Sequence, residues 1–251
     1  MKDNKHIYFA SDFHLGAPNY ESSRKREDRI VSWLDSIKPD AKEIYLVGDL
    51  FDFWFEYKRA IPKGFVRLQG KIAEIADSGI EVHVFTGNHD MWMFDYLPKE
   101  LGVKMHRAPI KREFDGKSFF IGHGDGLGPG DHGYKFIKKV FANKICQWLF
   151  ARLHPNFGIW MADFWSNRSR IANRDEDEKY LGDDKEFLVQ YCKSHLEKEH
   201  IDYFIFGHRH LPLEIEVGKD SQYFNLGEWM NYETYAVWDG KALELKKYKQ
   251  D

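Results

Sequence analysis

An α/β fold is predicted by two features of this 251-residue chain. Its first half alternates short apolar runs with amphipathic helical stretches, the order expected of strands and helices around a sheet. Five apolar runs along the chain end in a small residue followed by a metal-type ligand. Open α/β sheets place their sites at such carboxyl strand ends.

In order, Ile7-Tyr8-Phe9-Ala10 runs into Ser11-Asp12-Phe13-His14, and Ile44-Tyr45-Leu46-Val47 into Gly48-Asp49. Val82-His83-Val84-Phe85 runs through Thr86 into Gly87-Asn88-His89-Asp90. Phe119-Phe120-Ile121 leads to Gly122-His123-Gly124-Asp125, and Tyr203-Phe204-Ile205-Phe206 to Gly207-His208-Arg209-His210. Between the first two runs, Ile30, Val31 and Trp33-Leu34 mark a helix over 22–37. After the second, Leu68, Ile72 and Ile75-Ala76 mark another over 65–76. Segments 213–217, 222–226, 232–237 and 242–248 read as short strands joined by turns, implying a second, more antiparallel sheet.

The length suits one large domain or a domain with an insertion. A net charge of −3 points to neither a nucleic-acid nor a membrane partner. Cys146 and Cys192 form no C-x-x-C motif and read as free thiols of a reducing cytosol. The N-terminus enters a strand at once, without a signal peptide's apolar stretch, and no stretch reaches the roughly 20 apolar residues of a membrane span. The expectation is a cytoplasmic protein that meets a membrane only at its surface.

Segment 133–174 stands apart. It carries eight basic residues against one acid, Asp163, a net of +7, which leaves −10 for the rest of the chain. Nine aromatics are interleaved with these charges, in two helical stretches expected to break near Pro155. The pattern suits a lipid-facing surface, and equally a helical pair whose apolar face packs on a core.

Asp12-x-His14 and His208-x-His210 place side chains two residues apart, which share a face in an extended chain. Oxygen ligands mixed with imidazole, and no thiolate, suit manganese, iron or zinc in a reactive site rather than a structural zinc. Glycines before Asp49, Asn88, His123 and His208 let the backbone turn sharply beside the ions.

Together these five motifs resemble the signatures of calcineurin-like metallophosphoesterases, over about residues 7–210 and in the same order. The resemblance implies a sandwich of two mixed β-sheets flanked by helices, spanning 1–251 as one domain, with a helical cap inserted at 131–174. It implies two divalent ions, manganese first, with iron or zinc as alternatives. Asp12, His14, Asp49 and His210 would hold one ion, and Asp49, Asn88, His123 and His208 the other. Such an ion pair, roughly 3.5–4 Å apart, activates water and clamps phosphoryl oxygens. His89 would stabilise the transition state or protonate the leaving oxygen. Asp90 would orient and charge His89, or else cap the turn after Asn88.

A narrower resemblance, to UDP-2,3-diacylglucosamine pyrophosphatases of lipid A synthesis, rests on several motifs. These are Gly48-Asp49-Leu50-Phe51-Asp52-Phe53-Trp54, His123-Gly124-Asp125 with Asp131 and Tyr134, Gly207-His208-Arg209-His210-x-Pro212, and Leu226-Gly227-Glu228-Trp229. It implies cleavage of a nucleotide-lipid to UMP and 2,3-diacylglucosamine 1-phosphate at the cytoplasmic face of the inner membrane, with the cap taking the acyl chains. Asp131, Tyr134, Ser169 and Asn173 are the candidates for the sugar and its acyl amides. Position 89 departs from the pattern, since many of that subfamily carry arginine where this chain has His89. The competing expectation is a phosphatase or phosphodiesterase of soluble phosphoesters. A nuclease would want a long basic groove, which −10 outside the cap opposes.

Overall fold

The apolar runs are strands, and they are nearly continuous in apolar residues because both faces of each are covered. The structure is a computed structural model, and it describes residues 6–130, 132–162, 164, 180, 182, 183 and 185–249. β1 (His6–Ala10), β2 (Ala41–Val47), β3 (Glu81–Phe85) and β4 (Lys104–His106) pair in parallel, in that order. β10 (Thr234–Trp238) joins β1 antiparallel and carries β11 (Leu243–Lys247) at the edge. The second sheet runs β5 (Ile110–Phe114), β6 (Lys117–Ile121), β7 (Tyr203–Phe206), β9 (Ser221–Leu226), β8 (Pro212–Gly218). Its β6, β7 and β9 are mutually parallel and its two edge strands antiparallel. Both sheets are therefore mixed, as the resemblance implied.

The four C-terminal strands do not form one sheet of their own. Two complete the second sheet, while β10 and β11 extend the first beyond β1. That pairing spans most of the chain, and alternation along a strand carries no record of its neighbour.

Three apolar layers hold the sandwich together. Phe9, Tyr45, Val47 and Phe85 of the first sheet face Phe119, Ile121, Ile205 and Phe224 of the second. α1 (Tyr20–Ile37) and α2 (Val66–Asp77) cover the outer face of the first sheet through Ile30, Trp33, Leu34, Leu68, Ile72 and Ile75. α1 starts where Asn19 accepts the Ser22 amide at 3.0 Å, a side-chain cap on an otherwise orphaned donor. A short α3 (Tyr96–Leu101) precedes β4. The outer face of the second sheet is closed from the other side, by Leu188, Val189 and Cys192. Cys146 and Cys192 are free.

The charged aromatic segment contains α4 (His132–Ala142), α5 (Lys144–Phe150) and a further helical stretch over 155–162. The Leu188, Val189 and Cys192 just named lie on α6 (Phe187–Leu196). Within the segment an additional break falls at Asn143, whose side chain accepts the Ile145 amide at 2.8 Å and so caps α5. Pro155 opens the third stretch instead of merely ending one, as suits its missing N–H. Phe141 and Phe150 turn inward onto Trp92, at ring separations of 5.2 and 4.8 Å, and Trp92 Nε1 donates to the Phe141 carbonyl at 2.8 Å.

Trp92 thus meets both α4 and α5, through Phe141 and Phe150, beside contacts of each helix alone such as Tyr134 on Asp125 and Phe150 on Phe55. Trp92→Ala should speed amide hydrogen exchange across 132–150 while β1, β2 and β3 keep theirs. Unchanged exchange over 132–150 would show that the helices are held elsewhere.

Candidate metal centre

All seven sequence-predicted ligands lie at carboxyl ends of strands, on loops that leave the two sheets at the same edge. The extended-chain reasoning for the D-x-H and H-x-H pairs does not hold. Asp12, His14, Asp49, His208 and His210 have φ of 56°, 43°, 52°, 69° and 54°. This left-handed region is uncommon for non-glycine residues and persists only where surrounding contacts over-determine it. Those contacts cross between loops. The Asp12 amide donates to Gly48 O at 3.1 Å, and the His14 amide to Asp49 O at 2.9 Å. The His89 amide donates to Asp49 Oδ1 at 2.8 Å, and the His208 amide to Asp12 Oδ2 at 3.1 Å.

Two ligand sets result. In the first, His14 Nε2 lies 3.0 Å from His210 Nε2 and 3.6 Å from Asp12 Oδ1, and His210 Nε2 lies 3.3 Å from Asp12 Oδ1. Donor atoms of Asp12, His14, Asp49 and His210 all fall within 4.8 Å of one another. In the second, Asn88 Oδ1 lies 3.1 Å from His123 Nε2 and 2.9 Å from His208 Nδ1. Asp49 Oδ2 joins the two, 3.9 Å from His14 Nε2 and 3.3 Å from His123 Nε2. The H-x-H pair therefore splits, His208 to the second set and His210 to the first.

The residues fit divalent cations. Asp49 Oδ2 is buried without a hydrogen-bond partner, an expensive arrangement unless a cation satisfies it. His123 Nδ1 donates to the Val47 carbonyl at 2.9 Å, which turns the Nε2 lone pair toward Asp49 and Asn88. A Cβ on Gly87 would strike the Asp49 carboxylate, and one on Gly207 the Asp12 carboxylate. These two glycines keep the ligands close.

The electrostatics agree. Against the effect of burial, Asp12, Asp52 and Asp49 push the His14 imidazole up to about 10. Asp49 foremost, again against burial, does the same to His123, up to about 10. Burial and the neighbouring His123 hold His208 down at about 4. Asp12 and Asp49 stay far below the usual carboxylate range despite burial, held there by the surrounding imidazoles.

His89 stands at the rim of the first set, its ring 4.9 Å from that of His14 at 90°. Its Nδ1 donates to the Asp52 carbonyl at 3.0 Å and lies 3.8 Å from Asp52 Oδ1. Burial lowers its pKa. Asp90 does not take the orienting role. Its Oδ1 accepts the Gly87 amide at 2.7 Å and its Oδ2 the Leu50 amide at 2.8 Å, which ties two ligand loops together. The alternative reading, a turn cap, describes it better, and Asp52 is the acid beside His89. Burial and Asp49 push the Asp90 carboxyl up to about 7.

Tyr134 reaches the edge of the centre, where its hydroxyl donates to Asp125 Oδ2 at 2.6 Å beside Lys138 Nζ, also at 2.6 Å. Asp131, Ser169 and Asn173 lie outside the described residues.

Sequence reasoning missed the groups that hold the loops. Arg26, buried on α1, donates to the carbonyls of Phe13, His14 and Ala17. Arg209 forms a buried two-bond pair with Glu186, at 2.9 and 2.8 Å, on the H-x-H loop. Asn225 Nδ2 donates to Gly207 O at 2.5 Å. A signal existed for Arg26, a charged residue one turn before Ile30 on the apolar face of α1.

Comparison with known proteins gives a consistent picture. Residues 5–212 match the family described as calcineurin-like phosphoesterase. A UDP-2,3-diacylglucosamine hydrolase of Porphyromonas gingivalis is 39% identical over 254 residues, covering 96% of each chain. One of Histophilus somni is 24% identical, covering 90% of this chain and 92% of its own. Among solved structures, the phosphoesterase Yfce of E. coli aligns at a TM-score of 0.47 with 16% identity, over 96% of this chain and 92% of its own.

Gly87→Ala should displace the Asp49 carboxylate and lower bound metal by about tenfold in affinity or more, while far-UV circular dichroism stays that of the parent. Undiminished metal content after dialysis would refute the role given to that glycine. Because His14 and His123 are protonated at neutral pH and must bind as neutral imidazoles, loading the centre at pH 7 should release about two protons. Calorimetry in buffers of different ionisation enthalpy measures this, and a count near zero would contradict the charge assignment.

Proposed function

Because the chain belongs to the calcineurin-like phosphoesterase family, we propose that it hydrolyses the pyrophosphate of UDP-2,3-diacylglucosamine, giving UMP and 2,3-diacylglucosamine 1-phosphate in lipid A synthesis. The full-length similarity to hydrolases of that name supports the substrate. The observation that carries the reading is the surface of segment 132–164. Of the eleven exposed large hydrophobic residues among those described, eight lie here: Phe136, Ile137, Ile145, Trp148, Leu149, Phe157, Trp160 and Phe164. Trp148 and Trp160 are 56% and 61% exposed. A soluble phosphoester gives no reason for such a surface, whereas two acyl chains do.

The same segment carries Lys135, Lys139 and Lys144 on its helices and Arg152 in the turn after α5, and the Arg152 guanidinium lies 4.6 Å from the Trp148 ring. Each basic side chain near an anionic leaflet contributes about 1 kcal/mol. Four such groups among exposed aromatics suit an enzyme held at the cytoplasmic surface of the inner membrane, with the helical cap of 131–174 receiving the lipid. Among the described residues no helix is long and apolar enough to cross a membrane.

Asp12, His14, Asp49 and His210 would hold one ion, and Asp49, Asn88, His123 and His208 the other, manganese being the first choice. Such a pair, when bound, supplies an activated water and neutralises charge on the phosphoryl oxygens. His89 faces the same space with Nδ1 engaged by the Asp52 carbonyl. That bond orients Nε2 toward the scissile group, where it hydrogen-bonds a phosphoryl or leaving oxygen. Tyr134, together with Asp131, Ser169 and Asn173, would contact the sugar and its acyl amides.

Incubation with Mn2+ and UDP-2,3-diacylglucosamine should release UMP. No UMP, together with brisk hydrolysis of a soluble phosphodiester, would overturn the substrate. In Trp148→Ser and Trp160→Ser the lipid substrate's kcat/KM should fall about tenfold, the equivalent of roughly 1.4 kcal/mol. A small chromogenic phosphodiester should lose far less. Equal losses on both substrates would reduce these tryptophans to fold residues.

A further inference from the structure

The geometry points to Arg26 as a positioning residue for the first ion site, a role that rests on the ligand assignment above. We infer that its guanidinium, held by α1, keeps the Asp12–His14 loop in the left-handed backbone that places both side chains on one ion.

Arg26 is 2% exposed, and three of its hydrogen bonds go to a single loop. Nε donates to the Phe13 carbonyl at 2.6 Å, and Nη2 donates to those of His14 and Ala17, each at 2.6 Å. One turn earlier on the same face, Ser23 Oγ accepts the Gly16 amide at 2.8 Å. Residues 13–17 are therefore gripped at four backbone groups by two side chains of one helix. That helix is itself fixed, because Ile30, Trp33 and Leu34 on the same face are buried in the core.

A buried guanidinium is costly unless its donors are used. Placing one here spends that cost on the loop where Asp12 and His14 hold φ of 56° and 43°. Strained residues persist only when their surroundings over-determine them. Hydrogen bonds to the carbonyls of Phe13 and His14, on either side of the His14 Cα, do so directly. The loop that carries Asn88 is fastened by another group, Asp90 to the Gly87 amide, and the loop that carries both His208 and His210 by the Glu186–Arg209 pair. Loss of Arg26 should thus weaken the first ion selectively. Lysine cannot substitute, since one ammonium on a flexible stem does not reproduce a planar fork reaching three carbonyls.

The test is metal binding, read without substrate. Arg26→Lys, Arg26→Met, His14→Ala and the parent are stripped, titrated with Mn2+ and analysed for bound metal, with far-UV circular dichroism confirming the fold. The parent should take two ions. Both Arg26 variants should bind one ion at least about tenfold less tightly, as losses behind metal ligands do, while retaining the other at parental affinity. His14→Ala should lose that same ion. If His14→Ala loses an ion and the Arg26 variants keep both at parental affinity, Arg26 has no positioning role. Parallel weakening of both ions would also overturn it, by showing a general loss of stability. Two ions retained in His14→Ala would instead refute the ligand assignment, and the role of Arg26 with it. Should Arg26→Met fail to fold, Arg26→Lys, which keeps the charge and the stem, decides.

Discussion

One carboxylate serves both halves of the centre. Asp49 follows β2, which β1 and β3 flank in the first sheet, and its two oxygens are used differently. Oδ1 accepts the His89 amide, and Oδ2 lies unpartnered between His14 and His123. A buried anion in that position needs compensation, and the imidazoles gathered around it supply this until cations do. Much of the local architecture follows. The loop after β3 must come close enough to bond Asp49, which excludes a side chain at position 87. His123 must approach from the opposite sheet, which sets how the two sheets meet at this edge.

The conformational cost of gathering these groups appears in the backbone. Five candidate ligands hold left-handed φ, and beside the bonds between their own loops, residues outside the set keep them there. Arg26 acts from α1, Asp90 from within the β3 loop, Asn225 from β9, and the Arg209–Glu186 pair from the start of α6. The helices and sheets supply anchors of high stability, and the loops between them carry the strain. This separates the proposed chemistry, local to the strand ends, from the proposed substrate choice, assigned to the helices beyond β6.

What the sequence revealed follows the same division. The gathering of the candidate ligands was legible because each follows an apolar strand, and five such coincidences in one chain are improbable without a common site. The two central helices were legible from their apolar period. The distribution of β10 and β11 was not, because nothing in a strand's alternation names a partner more than two hundred residues away. β4 is three residues long, too short to show a period. Arg26 and Asp52 act through tertiary contacts, so their residue types alone carried little signal. Asp90 misled for a related reason. Adjacency to His89 suggested contact, yet the turn directs its carboxyl to the amides of Gly87 and Leu50. The aromatic segment left two readings open because amphipathicity is identical for a packed and an exposed face. The structure divides it, with Phe141 and Phe150 inward and Trp148 and Trp160 outward.

The central claim is that Asp49 joins two ions into one reactive centre. Electron paramagnetic resonance of the protein loaded with two Mn2+ tests it most directly. A carboxylate-bridged pair gives the spectrum of exchange-coupled ions, and Asp49→Asn should abolish that coupling. A spectrum of two magnetically isolated ions in the parent protein would contradict the account.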